Sequence, residues 1–183
     1  NFEVVAELTA GHRMVAMPGG KVLGLSDGRT IWSWTTSAKR FERSAIGLPA
    51  ALETAAGVRW AMDKSGEVAY LADSAGSVFA ISIAGMSVKR AGSAPLRPVT
   101  SLAATIDGRV FGTCGEGMEH FFCYNPSTGD MRDIGMAVSI FERRRYGYAF
   151  GDAVTGRDGQ VYFGENDDLG HLWIYFPALL ARK

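Results

Sequence analysis

Asp107-Gly108-Arg109-Val110-Phe111-Gly112-Thr113 is followed six residues later by His120-Phe121-Phe122-Cys123-Tyr124-Asn125-Pro126-Ser127-Thr128-Gly129-Asp130. The Asp-Gly pair favours the positive-φ geometry of a tight hairpin. The runs Val110-Phe111 and His120 to Tyr124 are aromatic and β-branched, which suits a half-buried pleated surface. Asn125-Pro126-Ser127-Thr128-Gly129 is a dense turn signal. The stretch therefore reads as successive antiparallel strands joined by short turns.

The same wording recurs on both sides. A turn Gly followed by a short apolar strand stands at Gly20, Gly66, Gly108 and Gly159, spaced 46, 42 and 51 residues apart. A second anchor follows each: Arg29-Thr30-Ile31-Trp32-Ser33-Trp34, Ser77-Val78-Phe79-Ala80-Ile81, the His120 run, and His171-Leu172-Trp173-Ile174-Tyr175. Another apolar stretch precedes each first anchor, at 14–17, 59–62, 102–105 and 152–155. Fourth strands are visible at 40–45, 87–91 and 130–134. The last repeat has none after it, but Phe2-Glu3-Val4-Val5-Ala6-Glu7-Leu8 alternates apolar and polar and can supply one.

Repeats of this period mean stacked or radially arranged small units. The predicted fold class is all-β: a β-propeller with four blades in this chain. One domain, 1–183, holds blades at approximately 9–45, 57–91, 100–134 and 151–176, with 2–8 completing the last. No long stretch keeps a 3.6-residue apolar period, so helical readings are weak. Three rings are compatible with the repeats: a complete four-bladed ring, the C-terminal part of a larger one, or a half-ring paired with a second chain. The partial rings are favoured. They leave apolar blade faces uncovered, so missing blades or a partner chain are expected to complete the ring.

Composition sets outer limits. Of 183 residues, 47% are hydrophobic and 21% charged, as in ordinary globular proteins. The formal net charge of zero argues against nucleic acid or an anionic membrane as partner. No apolar run reaches the length of a membrane span. The chain opens without Met and shows no leader, so a processed or partial polypeptide is expected. Cys114 and Cys123 are too few for a disulfide framework and read as buried thiols. Zinc spacing, a phosphate-binding glycine loop, a nucleophile elbow and a paired-carboxylate motif are all missing, so no metal and no cofactor is expected.

The third and fourth repeats resemble the blades of bacterial kelch-like and quinoprotein-like propellers. They also resemble propeller polysaccharide lyases of the ulvan and rhamnose–glucuronate type. The resemblance covers about half the chain well. It implies a ring-top cleft using histidine, tyrosine and arginine, and an acidic polysaccharide as possible partner. It is a resemblance of framework, and framework does not fix function.

The most unusual segment is Ile140-Phe141-Glu142-Arg143-Arg144-Arg145-Tyr146-Gly147-Tyr148-Ala149-Phe150-Gly151-Asp152. It links the third and fourth repeats, where propeller connections cross a ring face. Arg143, Arg144 and Arg145 suit a carboxylated or sulfated sugar, because guanidinium forks grip such groups at two points. Tyr146 and Tyr148 could stack on sugar and move a proton. The plainer reading is a solvated loop whose arginine stems lie over apolar surface. His12, before an inner strand, is a further catalytic candidate, and Arg13 could join an anion site. His120 and His171 occupy the same place in two repeats, which favours a framework role. Glu165-Asn166-Asp167-Asp168 lacks the spacing of a calcium loop and reads as a hairpin turn.

Two functions follow. One is a propeller scaffold or binding module with a ring-face ligand site and a partner chain. The other is a carbohydrate-active propeller, a lyase cleaving uronate-containing glycan by β-elimination. That chemistry would favour a periplasmic or secreted location. Whether the chain is an enzyme stays open at this point.

Overall fold

The computed structural model describes residues 14–26, 29–48, 52, 57–139, 145–167 and 170–178. Among them there is no helix. Four antiparallel sheets follow one another along the chain. The first contains β1 (Val15–Met17), β2 (Lys21–Ser26), β3 (Thr30–Thr35) and β4 (Arg40–Gly47). The second contains β5 (Arg59–Met62), β6 (Val68–Ala72), β7 (Ser77–Ser82) and β8 (Ser87–Ser93). The third contains β9 (Val99–Ala104), β10 (Val110–Cys114), β11 (His120–Asn125) and β12 (Asp130–Met136). A two-stranded ribbon, β13 (Val138–Ser139) and β14 (Arg145–Tyr146), interrupts the link to the fourth sheet. That sheet holds β15 (Phe150–Thr155), β16 (Val161–Glu165) and β17 (Leu172–Tyr175). The expected strand at 2–8 lies outside the described residues.

Each sheet is an up-and-down meander, because every connection within it is a short turn. Aspartates organise several of these turns. Asp63 Oδ1 accepts the Val68 N–H at 3.0 Å, and Asp73 Oδ1 accepts the Ser77 N–H at 2.7 Å. Asp107 grips Arg109 through Nε and Nη2 at 2.9 and 2.7 Å while accepting Thr105 Oγ1 at 2.6 Å. Such side chains mimic a backbone turn, which is why Asx residues recur there.

Strand periodicity explains the packing. Successive side chains leave a strand on opposite faces. Along β6, Ala69 and Leu71 join Leu23, Leu25 and Ile31 of the first sheet, while Tyr70 and Ala72 join Val110 and Phe122 of the third. Phe111 and Phe121 of the third sheet then meet Phe150, Val161 and Phe163 of the fourth. The rings of Phe121 and Phe163 stand edge to face at 4.5 Å. Each fully buried side chain of this size is worth about 2–3 kcal/mol. The sheets are therefore stacked face to face in chain order. Their first strands also neighbour one another, β5 against β9 and β9 against β15.

Gly112 shows how tightly the third sheet is packed. A Cβ there would lie 2.5 Å from the Ser101 carbonyl oxygen and 2.7 Å from the Phe122 ring. Gly24 opposite Trp32 plays the same part in the first sheet. Cys114 pairs with His120 and Cys123 with Phe111, so the two thiols do not face each other and both are free. Burial pushes the Cys114 thiol up to about 11, leaving it a poor nucleophile.

Candidate functional site

The first strands of all four sheets line one cavity of about 680 Å³. Val15 comes from β1, Trp60 to Met62 from β5, Leu102 to Ala104 from β9 and Ala153 to Thr155 from β15. The wall is mostly apolar. Lys64 and Arg157, in the turns that follow β5 and β15, add two exposed cations to it. The volume lies in the range of small-molecule sites, and so does the mix of apolar wall with a few polar groups. Trp60 and Leu102 also line a smaller opening of about 120 Å³, with Met14, Arg59, Ser101 and Asp152. Trp60 Nε1 is buried without a hydrogen-bond partner.

Beside that smaller opening sits a half-buried polar network. Arg59 Nε donates to the Thr100 carbonyl at 2.6 Å. Thr113 Oγ1 meets Thr100 Oγ1 at 2.7 Å and Ser101 Oγ at 2.6 Å. Thr100 Oγ1 also donates to Glu119, which is buried. Burial raises the Glu119 carboxyl above the usual range, opposed in part by hydrogen bonds from Thr100, the Phe150 N–H and Thr113 and by the Arg59 charge.

Two buried glutamates tie down the segment that carries the tyrosines. Glu119 Oε1 accepts the Phe150 N–H at 3.1 Å, and Glu165 Oε1 accepts the Tyr148 N–H at 2.9 Å. The Glu119 N–H in turn donates to the Tyr148 carbonyl at 3.1 Å. Tyr146 and Tyr148 are exposed, and the Tyr148 ring packs beside Gly117 in the turn before β11. Neither lines the cavity of about 680 Å³. The backbone of Arg145 pairs with Ser139 in the β13–β14 ribbon. His12, Arg13, Arg143 and Arg144 lie outside the described residues.

The two histidines at equivalent repeat positions have different surroundings. His120 Nδ1 lies 3.0 Å from Asp133 Oδ2 on the neighbouring strand. His171 Nδ1 lies 3.3 Å from Glu165 Oε2. Asp167 completes a group whose ligand-type atoms all fall within 4.8 Å of one another. Sequence reasoning passed over Glu119 and the Glu165–Asp167–His171 grouping. The only sequence sign was the acidic turn, read there without the histidine four residues beyond Asp167.

No family model matches the chain, and no curated protein sequence does. Solved structures do. The extracellular domain of BT4673 from B. thetaiotaomicron aligns over 90% of this chain and 20% of its own, with a TM-score of 0.60 at 16% identity. The chain thus spans about a fifth of that domain's length. The computationally designed Ika4 protein aligns over 97% of this chain and 100% of its own, with a TM-score of 0.60 at 13% identity. U3-55K aligns over 93% of this chain and 54% of its own, with a TM-score of 0.56 at 13% identity. At these identities the likeness is one of all-β fold.

Proposed function

We propose that the four sheets are blades of a β-propeller and that the chain is a binding module taking its ligand at the axis. The observation that supports this reading best is the shared cavity, to which the innermost strand of every one of the four sheets contributes. The first strands of neighbouring sheets also run side by side, β1 against β5, β5 against β9 and β9 against β15. Repeated small sheets around a central channel are the propeller arrangement.

The lining indicates the ligand class. Trp60 offers an indole face, and Lys64 and Arg157 offer positive charge beside an apolar wall. A carbohydrate ring carrying a carboxylate or sulfate matches both features. The reading also includes further blades, in the same polypeptide or in a second chain. Its support is the outward face of the fourth sheet, where Leu172 is 65% exposed and Ile174 is 47% exposed. A buried blade would cover such residues.

The test is calorimetric titration with a glucuronate oligosaccharide, followed in parallel by tryptophan fluorescence. Saturable binding is expected. The Lys64→Ala/Arg157→Ala double variant should weaken it by about tenfold or more, as loss of charge-assisted contacts does. Trp60→Ala should do the same. Absence of binding, or binding unchanged in both variants, would remove the axial cavity from the account. Ultraviolet absorbance from an unsaturated uronate would instead move the reading to a lyase.

A further inference from the structure

We propose that Glu165, Asp167 and His171 form a binding site for one divalent transition-metal ion, zinc by their donor chemistry. Glu165 ends β16, His171 directly precedes β17, and Asp167 lies between them. Gly164 pairs with Leu172, and the Glu165 N–H donates to the His171 carbonyl at 2.8 Å, so the two side chains are brought together at the mouth of the hairpin. The register of one tight hairpin thus assembles the set, with Asp167 supplied by the turn itself.

The spacing of the ligand atoms fits an ion. His171 Nδ1 stands 3.3 Å from Glu165 Oε2. Two ligand atoms each about 2.0–2.1 Å from a tetrahedral zinc lie about 3.3 Å apart. The third group falls within 4.8 Å of both, close enough to close on an ion by a small side-chain rotation. Nδ1 is buried, and Glu165 Oε2 stands beside it without the alignment of a hydrogen bond, so the two atoms meet as two ligands of one ion can.

The surroundings hold the donors in place. Glu165, whose side chain is 0% exposed, is oriented by the Tyr148 N–H at 2.9 Å and by Trp173 Nε1 at 3.2 Å. Asp167 Oδ1 accepts the Gly170 N–H at 3.1 Å. Ligating carboxylates are commonly hydrogen-bonded in this way, which fixes their direction. One imidazole nitrogen with two carboxylates suits zinc. Calcium requires six to eight oxygens, and magnesium a nearly complete octahedron of them. Three protein ligands would leave a fourth position for water or an anionic group of a ligand. None of the three residues lines the axial cavity, so the site stands apart from the ligand reading above.

The experiment is titration of chelator-stripped protein with zinc chloride, by calorimetry and by competition against a chromophoric chelator. One zinc per chain is expected. His171→Ala and Asp167→Asn should each lower the affinity at least tenfold. Asparagine keeps an acceptor for the Gly170 N–H, so Asp167→Asn preserves the turn even if His171→Ala perturbs it, and circular dichroism monitors folding of both. Millimolar calcium or magnesium should not displace the zinc. No saturable zinc binding by the wild type, or unchanged affinity in a folded Asp167→Asn protein, would overturn the proposal.

Discussion

Glu119 collects partners from three sheets. Its carboxylate bonds Thr100 on β9 and the Phe150 N–H at the start of β15, and it lies in the field of Arg59 on β5. In the sequence it is one acidic residue at the end of a glycine-containing turn. Nothing local distinguishes it from Glu116, because every partner is remote along the chain. The same holds for His171. Its repeat position matches His120, yet His120 faces Asp133 on a fourth strand, while His171 faces Glu165 across its own hairpin. Repeat equivalence showed where these histidines sit, and the tertiary surroundings decide what they touch. The raised Glu119 carboxyl has a consequence for pH. The folded state holds that proton more tightly than the unfolded chain, so this residue's contribution is fully present below the ordinary value of 4.5 and is lost as pH rises through the raised one. Urea unfolding of wild type and Glu119→Gln across acid to neutral pH should show the wild type losing stability relative to the variant in that window. Parallel profiles would contradict the assignment.

Hairpin turns are the elements most legible in the sequence, because glycine and Asx residues have backbone preferences that do not depend on remote contacts. The strands at Lys21–Ser26, Val68–Ala72, Val110–Cys114 and Val161–Glu165 each begin within two residues of a repeated turn glycine. Less legible are the bulges. The pairing of third and fourth strands slips between Thr30 and Trp32, Val78 and Phe79, and Phe121 and Phe122, the same place in three sheets. Such a slip follows sheet twist and carries no fixed residue signature. The β13–β14 ribbon inside the long Arg–Tyr link was also outside the sequence reading, since two-residue strands have no period to detect. The turn before each fourth strand shows a local conflict. Lys39 and Met86 adopt φ of 47° and 46°, while Gly129 holds the equivalent place at 78°. A side chain in that region costs about 1 kcal/mol. Met86→Gly should therefore raise stability by about 0.5–1 kcal/mol in denaturant unfolding, the strain relief exceeding the added chain entropy. A loss of stability would show that Met86 packs more usefully than its backbone suggests.

At the scale of the molecule, three apolar clusters link the four sheets in chain order. Fourfold recurrence was enough to foresee an all-β chain of four sheets, because period and turn chemistry repeat together. The cavity shared by the four sheets was not legible, since it depends on how separate sheets face one another. The fourth sheet differs from the middle pair. The second and third bury apolar residues on both faces, as the division of β6 between two clusters illustrates. The fourth turns Leu172 and Ile174 outward, and Phe176 just beyond it is 75% exposed. Apolar burial at about 25 cal/mol per Å² gives that face a strong tendency to associate. Light scattering on the purified 183-residue chain addresses the proposed ring with one number. Blades of an incomplete ring should associate through their outward faces and give a mass at a multiple of 19.7 kDa. A monodisperse 19.7 kDa monomer across the accessible concentration range would contradict that arrangement.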